Sequence, residues 1–156
     1  MKTLFIIIIV LSLSACASYS HPTNQPFSTL EVSSTDNTGR MIIIRMNEAQ
    51  NKKKKLLGIL RASASNKATP FKMPVAAMKL HVIVNFSSIG AVASCETFLN
   101  VNTKENNSYG LLVDFDSKEN QTCASKLFDE NNKLIDEYTT KLNHLKVNNK
   151  LIINPL

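Results

Sequence analysis

Six side chains in this 156-residue chain could do bond-making chemistry: the thiols of Cys16, Cys95 and Cys123, and the imidazoles of His21, His81 and His144. A histidine base works on a nucleophile or beside a carboxylate within hydrogen-bond distance. The three histidines are scattered, and the sequence shows no acidic or nucleophilic partner for His81. No G-x-S-x-G, H-E-x-x-H or C-x-x-C occurs. Asp114, Asp116 and Glu119 invite a calcium reading, but an EF-hand loop needs Gly at its sixth place and Glu at its twelfth. Counted from Asp114 those places hold Glu119 and Ser125, so the pattern fails and a hydrophilic turn is expected. No metal site and no cofactor follow from these residues, and no catalytic residue is assigned.

The densest charge is Lys52, Lys53, Lys54 and Lys55. Such a run makes a solvated hairpin tip whose like charges also discourage edge pairing. It could equally meet anionic phosphates of lipid headgroups or lipopolysaccharide, at about 1 kcal/mol per lysine near a charged surface. Nucleic acid is not expected as a partner. Charge alone would allow it, but aromatics are only 6% of the chain and do not interleave with the lysines.

Cys16 closes a distinctive leader, MKTLFIIIIVLSLSAC. One cation, Lys2, precedes an apolar run and then small residues, the order of an export signal. The run is about a dozen residues, short of the roughly twenty that cross a bilayer. Its end, Leu13-Ser14-Ala15-Cys16, resembles the lipobox of bacterial lipoproteins. The resemblance implies a diacylglycerol on the Cys16 thiol, cleavage before it, and a usually acylated new amino group. Residues 1–15 would then be a lost signal peptide. Two or three acyl chains hold a protein at a membrane where one holds marginally. Residue 17 is Ala; in enteric-type lipoproteins an Asp there favours the inner membrane, so the resemblance implies an outer-membrane location.

Removing the leader leaves 141 residues (156 − 15) and lowers the net charge from +6 to +5, since Lys2 is the one charge lost. That is enough for one domain and a tether. If Cys16 carries lipid, Cys95 and Cys123 remain as a pair. An exported chain meets an oxidising compartment, and an even remainder suggests one disulfide. A redox pair or metal site is the alternative. The bridge would close a loop of about 28 residues, worth roughly 3–4 kcal/mol by chain entropy.

The elements that must position these residues are strands. Residues 16–38, rich in Ser, Thr, Asn and Pro, read as a lipidated flexible tether containing a solvated His21, with Phe27, Leu30 and Val32 available to dock as a partial strand. The domain is expected over 39–156. Gly39 opens a strand carrying Ile42, Ile43 and Ile44, and Leu56 to Arg61 forms the next across the lysine loop. Pro70 and Pro74 make 62–74 an irregular region. Leu80, Val82, Val84 and Phe86 alternate with His81, Ile83 and Asn85, a strand with one apolar face. Residues 87–94 turn the chain, and 95–101 form a short strand. Tyr109, Leu111, Val113 and Phe115 alternate again, and 121–129 form the strand that bears Cys123. Asn131-Asn132 suits a tight hairpin. Ile135, Tyr138, Leu142 and Leu145 fall at helical spacing, so 133–146 is ambiguous, with strand to Thr140 favoured. The apolar tail to Leu156 adds an edge strand or covers the core.

Seven or eight short strands without alternating helices predict an all-β fold, an antiparallel β-sandwich or small barrel. In outline this is similar to small β-sandwich lipoproteins of Gram-negative envelopes, over about half the chain and without a diagnostic motif. The expected function is non-catalytic: a lipid-anchored envelope protein that binds or braces a protein partner at the outer membrane. An envelope or cell-wall hydrolase, and a small enzyme-inhibitor lipoprotein, are the alternatives.

Overall fold

The computed structural model describes residues 19–35, 39–48, 54–62, 69–88, 91–116 and 122–146. Apolar residues at every second position generate strands throughout, and no helix occurs among the described residues. The strands are β1 (Phe27–Ser34), β2 (Met41–Glu48), β3 (Lys55–Arg61), β4 (Thr69–Pro74), β5 (Ala77–Ser88), β6 (Ala91–Asn102), β7 (Ser108–Asp116), β8 (Thr122–Phe128), β9 (Leu134–Lys141) and β10 (Asn143–Lys146). They form two five-stranded sheets, ordered β4-β1-β7-β8-β9 and β10-β6-β5-β2-β3. The fold is a β-sandwich and not a closed barrel.

Between the sheets lies one core. Leu30, Ile42, Ile44, Met46, Met73, Leu80, Leu99, Leu111 and Leu127 are all fully buried there. The inward set on β5 is Met78, Leu80, Val82 and Val84, the face expected from the alternation. Three contacts between β6 and the β8–β9 hairpin join the sheets in step along the strand axis. Cys95 and Cys123 form a disulfide with Cα atoms 6.1 Å apart. Two residues further along β6 and β8, the Thr97 and Ser125 hydroxyls are 2.6 Å apart. Beyond them, the Asn100 amide donates to the Asp136 carboxylate at 2.7 Å.

Several expectations are corrected. The sheet containing β5 is wholly antiparallel, but the other is mixed, because β1 runs parallel to β7 while antiparallel to β4. Residues 27–34 are therefore not tether: β1 lies second in its sheet, with Leu30 and Val32 in the core. The fold begins well before residue 39. The region around Pro70 and Pro74 is strand β4, tolerated because β4 is an edge strand paired with β1 alone and needs no N–H on its free side. The turn at 87–94 narrows, since β5 and β6 pair out to Ser88↔Ala91. The ambiguous 133–146 stretch is β9 and β10; the chain passes at Leu142 from β8 in one sheet to β6 in the other. Asp116, expected to open a turn, ends β7; residues 117–120 of that turn and the tail from 147 fall outside the described residues.

Two backbone positions have a local cause. Asn132 takes a positive φ of 59° in the β8–β9 turn, where Asp129 Oδ1 accepts the Asn131 and Lys133 amides at 2.9 Å each. Gly58 faces the Phe71 ring so closely that a Cβ there would lie 2.1 Å from it. This close approach brings β4 of one sheet over β3 of the other.

Candidate functional site

The registers assign each residue to one of two ends of the sandwich. Ala77↔Asn102, Glu48↔Met78, Met46↔Lys55, Phe27↔Pro74 and Phe128↔Leu134 mark one end. Met41↔Arg61, Ser88↔Ala91, Asp116↔Thr122 and Thr122↔Lys141 mark the other. The short link Pro74–Ala77 shows that the two sheets share the first end; Thr103 Oγ1 fastens that link, accepting the Ala76 amide at 2.9 Å and lying 2.7 Å from the Pro74 carbonyl.

The N-terminal segment crosses this first end. Cys16 lies outside the described residues, but three positions later Tyr19 is already bound to the fold. Its amide donates to the Leu56 carbonyl at 2.6 Å, at the start of β3. Its phenol donates to His21 Nδ1 at 2.9 Å, and His21 Nε2 donates to the Gln25 carbonyl at 3.0 Å. His21, expected to be solvated, instead brackets the entry to β1: its ring meets Tyr19 and Phe27 edge-on, with centroids 6.0 and 5.7 Å away. Lys55 Nζ stands 5.4 Å from the Tyr19 ring centre and Lys72 Nζ 4.3 Å from that of Phe27. Burial pushes the Tyr19 phenol above its ordinary pKa, and the Lys55 charge opposes it.

The lysine run divides here. Lys54 is exposed. Lys55, expected at a free tip, is the first residue of β3, and its Nζ is 2.7 Å from Glu48 Oε1. Lys52 and Lys53 lie outside the described residues.

His81 has an acidic partner that the sequence did not reveal. It is 5% exposed although it sits on the outward face of its sheet. Its ring stacks on Phe98, directly opposite on β6, with centroids 4.5 Å apart. Its Nε2 is 2.7 Å from Glu96 Oε2, and its buried Nδ1 has no partner among the described residues. Burial pushes its pKa below the ordinary histidine value; the Glu96 bond and charge oppose this, and Lys54 and Arg45 add to it. A tight hairpin would have shown the pair in advance, because 81 + 98 and 83 + 96 share one turn centre at 89–90. An imidazole held by a carboxylate is part of a general-base arrangement, but Phe98 covers this ring, and among the described residues neither nitrogen meets a hydroxyl or thiol.

His144 lies in β10 opposite Ala93. Asp114 accepts a hydrogen bond from the Thr35 hydroxyl. Among the described residues no three His, Cys, Asp or Glu side chains gather as a metal site, and no helix is long and apolar enough to cross a membrane. A cleft of about 300 Å³ at the first end is lined by Asn102, Lys104, Asn107, Tyr109, Asp129 and Ile135. Tyr109 and Asp129 are occupied there, the phenol by the Lys104 amide at 3.0 Å and the carboxylate by its turn.

Compared with protein-family models, curated proteins and solved structures, the chain matches none.

Proposed function

We propose that this chain is a lipid-anchored bacterial envelope protein whose β-sandwich is a non-catalytic binding or assembly module for another envelope protein, at the outer membrane. The observation that carries the proposal is Leu13-Ser14-Ala15-Cys16 lying three residues before a folded contact at Tyr19. An acyl group on Cys16 would hold the domain at a bilayer surface without any spanning segment. The buried Cys95–Cys123 bridge suits an exported protein in an oxidising compartment. Ala17 favours outer-membrane sorting by the same resemblance.

The test is metabolic labelling of the full-length chain with a palmitate analogue in a bacterial host. Wild type should carry label and fractionate with membranes. Cys16→Ser should lose the label and be released in soluble form. A native protein whose mass shows an unmodified Cys16, or a retained leader, would overturn the proposal.

One observation favours a second reading, a cell-wall or envelope hydrolase: the 2.7 Å His81–Glu96 pair. Burial and the Phe98 stack leave that imidazole no open face for a substrate. Cell-wall lysis by wild type and not by His81→Asn would decide for the hydrolase.

A further inference from the structure

The chain sets the domain's attitude on the membrane as well as its attachment. From Cys16 to Tyr19 there are three peptide steps, so the Cys16 Cα lies no farther than about 11 Å from that of Tyr19. Tyr19 is fixed at the start of β3. An anchor at Cys16 therefore draws one end of the sandwich to the bilayer, the end bearing Glu48, Lys55, Ala77 and Asn102.

The chemistry of that end suits a lipid surface in two ways. Among the described residues it carries Lys54, Lys55, Lys72, Lys79, Lys104, Lys126 and Lys133 against Glu48, Glu105, Asp129, Glu130 and Asp136, seven cations to five acids. Lys55 is matched by Glu48, and the Asp129 carboxylate is taken by two turn amides. Lys52 and Lys53 adjoin it in sequence. It also collects exposed apolar side chains. Five large ones are exposed among the described residues, and three of them, Val75, Leu134 and Ile135, belong to this end. Apolar tips among lysines are the composition that rests at a headgroup boundary.

We propose that the sandwich stands end-on, with the Tyr19–Lys54–Lys104 end and its apolar tips Val75, Leu134 and Ile135 seated on anionic headgroups of the bilayer that holds its own anchor. The opposite end, marked by Gly39, Arg61 and Lys141, faces away and is free for a partner. This rests on the lipid anchor proposed above.

The test uses the mature lipidated protein in vesicles of phosphatidylcholine alone or with roughly a third phosphatidylglycerol. A water-soluble amine-acylating reagent is added, and each lysine is read by peptide mass spectrometry. Lys54, Lys79 and Lys104 form one group and Lys141, at the opposite end, the second, all exposed on the fold. Relative to detergent solution, the first group should slow by about fivefold or more against the second in the anionic vesicles. An unchanged ratio, or slower labelling of Lys141, overturns the end-on arrangement. An equal slowing in phosphatidylcholine overturns the role of headgroup charge. Intact mass on the same sample separates the two proposals. A bare Cys16 removes the anchor itself, whereas an acylated Cys16 with an unchanged ratio removes only the orientation.

Discussion

Reducing the Cys95–Cys123 bridge should remove a large share of this domain's stability. The two cysteines are 28 residues apart in sequence, and all of β7 lies in the loop they close. The chain-entropy relation for such a loop gives about 12 cal/mol/K, or about 3.6 kcal/mol at 25 °C. Domains of this size are stable by about 5–15 kcal/mol in total. Both cysteines are fully buried, so the reduced thiols stay in an apolar setting and the difference isolates the crosslink. Replacing both with Ala adds a cavity term, about 1 kcal/mol or more. The assay is urea unfolding of the mature protein followed by circular dichroism, oxidised and reduced. The midpoint should fall at nearly unchanged slope, and Tm should drop by roughly 10–18 °C. A loss below about 1 kcal/mol would refute the reasoning, because it would mean that the reduced chain already holds β6 and β8 together when unfolded.

The neighbouring hydroxyl pair should behave asymmetrically. Thr97 and Ser125 are buried and bonded to each other, so Thr97→Val strands the Ser125 hydroxyl and should cost about 1–3 kcal/mol. Adding Ser125→Ala should recover most of that loss, as equilibrium unfolding of the single and double variants will show. For His81, burial lowers the folded pKa below the unfolded value near 6.5. The unfolded chain then binds the proton first, so the neutral imidazole's contribution is intact above about pH 6.5 and is lost as pH falls toward the folded pKa. His81→Phe should flatten stability between pH 6.5 and 5, measured by urea midpoints. Glu96→Gln, which removes the group that favours the charged ring, should steepen that fall.

The strands with dense apolar alternation were legible in the sequence because every second side chain is buried from Met78 to Val84 on β5 and from Tyr109 to Val113 on β7. β1 was not, although Ser28, Leu30 and Val32 keep the two-residue period. Its outward Thr29, Glu31 and Ser33 make the segment polar in composition, and only the flanking β4 and β7 turn it into an interior strand. β4 was obscured by its prolines, which an edge position accommodates. The helical spacing of Ile135 and Tyr138 did not track burial at all: both side chains remain exposed on β9, where pairing with β8 decides the conformation. Local periodicity foretold structure where a densely apolar face enters the core; it failed on β1 and β4, whose polar residues and prolines mask such a face, and on β9, where pairing with β8 holds the strand.

The same distinction bears on the candidate site. The Cys95–Cys123 pair could be nominated from residue type and number, because it depends on a count, as the proposed lipid site at Cys16 depends on a motif. His81–Glu96 and Tyr19–Lys55 depend on register, on where a hairpin turns and where the chain first touches the sheet. For the proposed anchoring Tyr19 matters more, because it would convert an expected long stalk into a two-residue link. A long stalk would leave the domain free to reach away from the membrane and tumble. A short one fixes which end can meet headgroups and which end a partner in solution can approach. Shortening or lengthening the link is thus a sharper probe of assembly than any substitution on the sandwich: a flexible insert between Cys16 and Tyr19 should release the lysines to label while leaving the fold and the acyl group untouched.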